Sequence, residues 1–184
     1  CAADSATCSL TNELTTKTIG SYSVNFTTDG GFDTSVKYPA AGNSNWNLTF
    51  NGSINFWAYA VNANVPQFQG PIVVYLKDDL GNAFRYESTG EFMNQALNTW
   101  KQFEIPLSGD ATWTRTTVGT PNLNNIDYIE IHNDTWGANF TIYFDGVGFA
   151  EDRAEGSWGF WGCWAEEATC TISYNFSLFT RGTN

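Results

Sequence analysis

Apolar and polar residues alternate in short runs along most of the chain. In one of these runs, Ile129 and Ile131 alternate with Glu130 and His132. A period of two, with polar residues between the apolar ones, is typical of β-strands that are buried on one face only. Runs of this kind predict eight strands, which cover residues 21–27, 46–50, 54–61, 72–76, 84–88, 101–105, 128–132 and 140–144.

Turn residues separate most of the predicted strands. Gly, Asn and Asp are concentrated in segments 29–31, 51–52 and 79–82, and these residue types favour tight turns. The only stretch able to form a couple of helical turns is 91–100. A length of 184 residues suits one domain with a full core. The sequence therefore predicts an all-β protein, an antiparallel two-sheet β-sandwich.

The two ends of the chain differ from the region between them. Residues 1–20 are polar and predict a tail or an edge strand, whereas residues 21–149 contain the sandwich strands. Residues 150–184 begin with a charged linker, continue with a Trp-rich loop that contains two cysteines, and end in an amphipathic segment. That segment, 171–179, predicts an extra C-terminal strand. Its apolar face consists of Ile172, Tyr174, Phe176 and Leu178.

The stretch 100–149 contains a pattern found in a known family. Trp100 begins a strand, the sequence Ile-Glu-Ile follows at 129–131, and "IYFDGVGF" places Asp145 at a strand end. This pattern resembles the last strands of carbohydrate-binding modules with a galactose-binding-like β-sandwich fold. The resemblance covers about residues 24–149, and it implies a jelly-roll sandwich that binds carbohydrate.

The resemblance also implies a structural calcium ion near the chain start and the final strand. Asp145 occupies the matching position, and Asp29 and Asp33 are candidate partners in the Gly-rich turn after the first predicted strand. Calcium takes carboxylate and carbonyl oxygens, which such turns can present. The alternative is that these acids serve only the turns, because Asp and Gly are favoured there.

The net charge of −11 arises from 19 acidic and 8 basic residues. Without a basic stripe, the chain is unsuited to nucleic acid and to anionic lipid. No apolar run approaches the length of a membrane-spanning segment. An acidic surface favours divalent cations as partners, which agrees with the calcium hypothesis.

The four cysteines form two pairs with local spacing, Cys1 with Cys8 and Cys163 with Cys170. Zinc would need closer Cys spacings and an available histidine, whereas the single histidine is far from both pairs in sequence. Two small disulfide loops are therefore predicted, and these indicate an oxidising, extracellular location. Sequons for N-glycosylation agree with secretion. They lie at Asn25, Asn47, Asn51, Asn133, Asn139 and Asn175.

Carbohydrate recognition needs aromatic rings that stack on sugars and polar groups that bind the hydroxyls. If Phe56 and Ala58 face the core, strand parity turns Trp57 and Tyr59 outward. The same parity predicts one polar-aromatic face. The alternative is that its aromatic residues belong to the core and its polar groups to ordinary surface. The candidate face consists of Trp57, Tyr59, Tyr75, Arg85, Glu87, Glu130 and His132.

Two further tryptophans are candidates for binding, and two acids are candidates for catalysis. Trp113 and Trp136 are predicted in loops, where an exposed indole is costly without a partner. A glycosidase needs two carboxylates placed across a bond, and no spacing singles out Glu87 and Glu130 for that role. A single histidine and no nucleophile motif argue against a Ser or Cys triad. The chain is therefore expected not to be an enzyme.

Two functional hypotheses follow. The first is an extracellular, non-catalytic protein whose partner is a polysaccharide or glycan. The second is a structural subunit that assembles outside the cell into a filament, tube or surface layer by exchanging a β-strand with another copy. The amphipathic segment 171–179 favours assembly, and so does the start at Cys1 without a signal peptide, as expected of a processed chain. The hypotheses are compatible, because a sugar-binding fold can be reused as a building block.

Overall fold

Two antiparallel β-sheets contain nearly all the regular structure of the described residues. The structure is a computed structural model, and it describes residues 1–31, 33–61, 69–134 and 139–151. A short 3-10 helix, Phe92–Ala96, precedes the eighth strand. The strands are β1 (Ala2–Ala3), β2 (Cys8–Glu13), β3 (Ser23–Thr28), β4 (Thr34–Tyr38), β5 (Asn51–Val61), β6 (Gln69–Lys77), β7 (Ala83–Ser88), β8 (Lys101–Pro106), β9 (Trp113–Val118), β10 (Tyr128–Asp134) and β11 (Phe140–Glu151).

The sheets contain six and five strands. The larger has the order β1-β4-β10-β6-β7-β9, and the smaller has the order β2-β3-β11-β5-β8. Neighbouring strands pair antiparallel in both sheets. The all-β, two-sheet sandwich predicted from the alternating pattern is therefore confirmed. In the described part of the chain, no helix has the length and apolar character needed to cross a membrane.

The core lies between the sheets and is made from alternate residues of the strands. Phe56 in β5 stacks on Phe103 in β8 with 5.1 Å between ring centroids, and it meets Phe144 in β11 edge-on at 6.1 Å. From the other sheet, the buried Tyr86 donates its hydroxyl to the Leu107 carbonyl at 2.9 Å, and burial raises the pKa of Tyr86 to about 12. Because each such side chain contributes about 1.5–3 kcal/mol when buried, the core fixes which residues of each strand point outward.

The predicted strand at 46–50 is wrong. Trp46 forms only an isolated bridge with Ile126. Beyond it, the Asn47 side-chain oxygen accepts hydrogen bonds from the backbone N–H of Thr49 at 3.1 Å and from its hydroxyl at 2.6 Å. Short polar side chains that bind the nearby backbone in this way compete with strand pairing, so the segment turns instead of extending.

The pattern analysis missed two short strands, β4 and β9. Val36 is buried in β4, and Trp113 is buried in β9. Because β9 is an edge strand whose later residues are mostly exposed, it lacks a regular alternation of apolar and polar residues. The prediction of Trp113 in a loop is wrong, since it lies in β9 with only 3% of its surface exposed. Trp136 lies outside the described residues.

The N-terminal residues take edge positions in both sheets. β1 pairs with β4 of the six-stranded sheet, and β2 pairs with β3 of the five-stranded sheet. A disulfide joins Cys1 to Cys8, as the spacing predicted. The Asp29 side-chain Oδ1 accepts a hydrogen bond from the backbone N–H of Thr7 at 2.7 Å, and the backbone N–H of Asp29 donates one to the Thr7 carbonyl at 3.2 Å. The predictions at Cys163, Cys170, Ile172, Tyr174, Asn175, Phe176 and Leu178 lie outside the described residues.

Candidate functional site

The outer face of the six-stranded sheet carries a row of polar side chains across four strands. Lys37 in β4 lies opposite Glu130 in β10, which in turn lies opposite Tyr75 in β6. Tyr75 lies opposite Arg85 in β7. Residues two positions away on these strands share the same face, and all members of the set are partly buried. We call this set the polar face, and it consists of Lys37, Tyr75, Lys77, Arg85, Glu87, Tyr128, Glu130 and His132.

Tyr75 lies at the centre of the polar face and contacts a neighbour on each side. Its ring meets the His132 ring edge-on, with 5.0 Å between centroids. The Lys77 ammonium nitrogen lies 4.7 Å from the centroid of the Tyr75 ring, within the range of a cation–π interaction. Arg85 donates from Nε to the Tyr75 hydroxyl oxygen at 3.2 Å. These contacts hold the partly buried ring of Tyr75 in one orientation.

His132 bridges two carboxylates. Its Nδ1 lies 2.9 Å from Asp33 Oδ1, and its Nε2 lies 3.2 Å from Glu130 Oε2. Ionised carboxylates only accept hydrogen bonds, so both ring nitrogens must carry protons for both bonds to form. Burial disfavours the charged imidazolium, but the bonds to Glu130 and Asp33 outweigh it and raise the pKa of His132 above its usual 6.5.

Glu130 is the acid on which two cations of the polar face converge. Its Oε2 also accepts a hydrogen bond from Lys77 Nζ at 2.5 Å. Burial is the largest single influence and opposes the charged carboxylate, yet the hydrogen bonds and positive charges of His132 and Lys77 together outweigh it and lower the pKa of Glu130 to about 2. Negative and positive charges therefore alternate along four neighbouring side chains of the sheet, which we call the charge chain: Asp33, His132, Glu130 and Lys77.

Arg85 and Glu87 form a second ion pair, with 2.5 Å between Nη1 and Oε2. The hydrogen bond from Arg85 lowers the pKa of Glu87. The general acid of a glycosidase needs a raised pKa, whereas Glu87 and Glu130 both have lowered ones. This pair of carboxylates is therefore poorly suited to glycoside hydrolysis.

The prediction of one face containing Trp57 and Tyr59 together with the other candidates needs correction. Both point outward from β5 as parity predicted, but β5 belongs to the five-stranded sheet. Their face therefore lies on the opposite side of the sandwich from Tyr75. Tyr59 contacts Trp100 at 5.7 Å and Tyr143 at 6.0 Å between ring centroids. We call Trp57, Tyr59, Trp100 and Tyr143 the aromatic face.

The three acids predicted to hold calcium do not converge on one point. Asp145 lies five residues beyond Phe140 on β11, and Phe140 lies opposite Thr28 at the end of β3 that leads to Asp29. Five strand residues span about 17 Å, whereas calcium ligands lie about 2.3–2.6 Å from the ion. Asp33 belongs to the opposite sheet's network, through His132. These residues therefore do not fit a single calcium ion.

The Asp145 carboxylate instead binds backbone amides. Its Oδ2 accepts hydrogen bonds from the N–H groups of Thr18 and Ile19, each at 2.7 Å, and its Oδ1 accepts one from Gly146 at 2.8 Å. Asp145 is only 4% exposed, so these bonds compensate a buried acid. No group of three or more His, Cys, Asp or Glu in the described ranges is arranged to hold a metal ion. Calcium binding stays a prediction.

Three members of the polar face are absent from the face predicted from the sequence: Lys37, Lys77 and Tyr128. The Lys37 ammonium nitrogen lies 4.0 Å from the centroid of the Tyr128 ring, and that of Lys77 lies 5.9 Å away. Tyr128 has the same parity in its strand as Glu130 and His132, and Lys77 has the same parity as Tyr75. The alternating pattern therefore also indicates that Tyr128 and Lys77 lie on this face. Lys37 belongs to β4, which the pattern did not reveal.

The class of protein that this fold defines is the two-sheet antiparallel β-sandwich. No family model matches the sequence, and no curated protein matches it. Similar solved structures include an exo-β-agarase, with a TM-score of 0.58, 11% identity, and coverage of 82% of this chain and 22% of that one. The agarase AgWH50C has a TM-score of 0.55, 14% identity, and coverage of 81% and 23%. This chain thus spans less than a quarter of either agarase.

A family 11 carbohydrate-binding module from Clostridium thermocellum, solved with a β-1,3-1,4-mixed-linked tetrasaccharide, is also similar. Its TM-score is 0.48 and its identity 17%, with coverage of 82% of this chain and 87% of that one. Modules of the kind that the sequence pattern resembles are thus among the similar structures. At these identities the likeness concerns the fold, which the two agarases support with TM-scores above 0.5.

The charge chain on the polar face predicts a stability maximum between two pH limits. Glu130 has a lowered pKa, so its contribution is present above its usual 4.5 and is lost as the pH falls towards about 2. His132 has a raised pKa, so its contribution is present below its usual 6.5 and is lost as the pH rises through the folded-state value. We expect the Glu130→Gln variant to lose less stability than the unmodified protein as the pH falls. We expect the His132→Gln variant to lose less stability as the pH rises. Melting temperatures across the pH range measure both effects.

The matched control for this prediction is Glu104→Gln, which removes an exposed acid from β8 in the other sheet. It should shift the whole profile without changing its shape. A profile of His132→Gln that parallels the unmodified protein above pH 6.5 would contradict the assignment.

The contacts of Asp145 predict that the acid stabilises the fold without a metal. Asp145→Asn would turn a side-chain N–H towards amide donors, and we expect a loss of about 1.5–3 kcal/mol in the free energy of unfolding. Excess chelator should leave unchanged the difference in melting temperature between the unmodified protein and Asp145→Asn. If chelation instead abolished this difference, and calcium restored it, Asp145 would be a calcium ligand.

Proposed function

We propose that this protein binds carbohydrate through the polar face and does not act as an enzyme. The observation that carries the proposal is the placement of the partly buried Tyr75 ring among fixed donors and acceptors. Sugars present apolar C–H faces that pack on aromatic rings, and hydroxyl rims that need both kinds of hydrogen-bonding group. Tyr75 offers the ring, Arg85 and Lys77 offer donors, and Glu87 offers an acceptor.

The existing contacts of the polar face favour binding by reducing its entropic cost. Long side chains such as Lys77 and Arg85 normally lose rotamer freedom when they contact a ligand. Here both are already held in ion pairs, Lys77 with Glu130 and Arg85 with Glu87. A glycan would therefore meet groups that are ordered beforehand.

The aromatic face is less suitable as the main binding surface. The Tyr59 ring is inclined by 58° to Trp100 and by 64° to Tyr143, so the three rings do not form one flat platform. No charged side chain contributes to these ring contacts. We therefore assign carbohydrate binding to the polar face.

We further propose that binding takes place outside the cell. The Cys1–Cys8 disulfide supports this location, because disulfides persist in oxidising compartments. The partner would be an extracellular polysaccharide or glycan.

The proposal predicts that Tyr75→Ala weakens binding to an insoluble polysaccharide. Removal of a central aromatic contact should cost about 1–2 kcal/mol, which is about a 5- to 30-fold increase in the dissociation constant. The matched control is Tyr59→Ala, which removes the same side chain from the opposite face. Pull-down isotherms against a panel of polysaccharides, with melting temperatures for each variant, provide the measurement.

Equal weakening by the two substitutions at equal stability would contradict the choice of the polar face. Absence of binding by the unmodified protein to every member of a broad panel of neutral and acidic glycans would contradict carbohydrate binding itself.

A second candidate function is assembly by strand exchange. Segment 171–179, which the sequence predicts as an amphipathic strand, lies outside the described residues. The supporting structural observation is that β8 and β9 each pair on one side only among the described strands. An edge strand presents free backbone donors and acceptors to which a strand from another copy can add.

This second function predicts that deletion of residues 171–179 prevents polymer formation. Burial of the four apolar side chains of the segment in a neighbouring subunit would contribute about 1.5–3 kcal/mol for each side chain, before the entropic cost of ordering the segment. The truncated chain should stay monomeric in light scattering at concentrations where the full chain assembles, and a synthetic peptide of the segment should block assembly. A full chain that stays monomeric at high concentration would exclude this function.

A further inference from the structure

The sequons whose asparagine lies in the described ranges differ sharply in what surrounds the asparagine side chain. N-glycosylation requires the side-chain Nδ2 of asparagine to be reachable, and the attached glycan must extend into solvent. Exposure and hydrogen bonding therefore separate sequons that the folded protein accommodates from those that it does not.

Two of these sequons lie largely inside the fold. Asn133 lies on β10 between β4 and β6, is only 5% exposed, and has its Nδ2 buried. Asn25 is only partly buried, and it is not part of the inference. Asn51 is half-buried, and the hydroxyl of its sequon partner Ser53 lies inside the fold, where it accepts a hydrogen bond from Asn55.

Asn47 has the opposite environment. Both Asn47 and Thr49 are exposed. Thr49 donates hydrogen bonds from its backbone N–H and its hydroxyl to Asn47 Oδ1. Because the amide oxygen is occupied within the sequon, the nitrogen is the part of the amide that faces outward. Asn139 is also exposed, but the residues immediately before it fall outside the described ranges, and it is not part of the inference.

The turn that carries Asn47 is anchored on both sides. Trp46 exchanges backbone hydrogen bonds with Ile126 at 2.7 and 3.0 Å, and its ring packs against Phe149 with 5.4 Å between centroids. Leu48 is buried and donates its N–H to the Leu123 carbonyl at 2.7 Å. With both neighbours fixed in the fold, Asn47 projects from a rigid turn.

We infer that Asn47 is an N-glycosylation site of the folded protein and that Asn51 and Asn133 stay unmodified. The co-reactant is an activated glycosyl phosphate or pyrophosphate supplied by a glycosyltransferase. The Asn47 amide nitrogen forms a bond to the anomeric carbon of the sugar, and the bond from that carbon to the phosphate oxygen breaks. The amide proton passes to a base of the transferase, and the phosphate or pyrophosphate leaves with the bonding electrons.

The test is secretion of the full chain, fused to a cleavable signal peptide, from a yeast host that performs N-glycosylation. The secreted, folded fraction is treated with an amidase that releases N-glycans in ¹⁸O-labelled water, and peptide mass mapping then identifies the labelled asparagines. We expect label at Asn47 and none at Asn51 or Asn133.

Two substitutions isolate the site even if one of them impairs secretion. Asn47→Gln and Thr49→Ala should each remove the mass of one glycan, whereas Thr49→Ser should retain it, because serine also supplies the sequon hydroxyl. Asn47 found unlabelled in the secreted protein would overturn the inference, as would label at Asn51 or Asn133 in the folded fraction.

Discussion

The packing of Phe56 against Phe103 and Phe144 sets the register of three strands of the five-stranded sheet at once. A slip of one residue in β5 would move Phe56 to the surface and Trp57 into the core, because the side-chain period of a strand is two. The six-stranded sheet obeys the same rule, since burial of Val74 and Tyr86 leaves their neighbours outside. Each outer face is thus a consequence of the core beneath it.

Acidic side chains outnumber basic ones by more than two to one in this chain, and the fold gives its buried acids two kinds of partner. On the sheet surface the partner is a cation, as Lys77 is for Glu130. At strand ends the partners are backbone amides. Buried Asp127, for example, accepts hydrogen bonds from the N–H groups of Asn45 and Asp79 at 3.2 and 2.8 Å. Oxygen atoms used in these ways have fewer lone pairs left for a hard cation.

The sequence was sufficient to predict most strands and which way their side chains point, because burial on one face imposes a period of two. It was insufficient for sheet membership. Parity places the Trp57 side chain on the outer face of β5, but only long-range pairing decides that β5 joins β11 and not β6. Short strands were missed for a related reason, since β4 and β9 bury too few apolar residues to produce a periodic signal.

The site was predictable to the same extent. Glu130 and His132 were found because they alternate with Ile129 and Ile131 in β10. The ion pairs that join them to Asp33 and Lys77 connect residues far apart in sequence, and no local pattern contains that information. The hydrogen bonds from Thr18 and Ile19 to Asp145 join residues more than 120 positions apart, so no local pattern predicts them either.

The Cys1–Cys8 bond has a mechanical consequence. β1 belongs to one sheet and β2 to the other, so the bond joins the two layers at one edge of the sandwich. A pulling force applied at residue 1 would divide between two paths, the peptide chain into β1 and the sulfur atoms to Cys8. Part of the load would therefore fall on the six residue pairs between β2 and β3. Reduction of the disulfide would leave the whole load on the short pairing of β1 with β4.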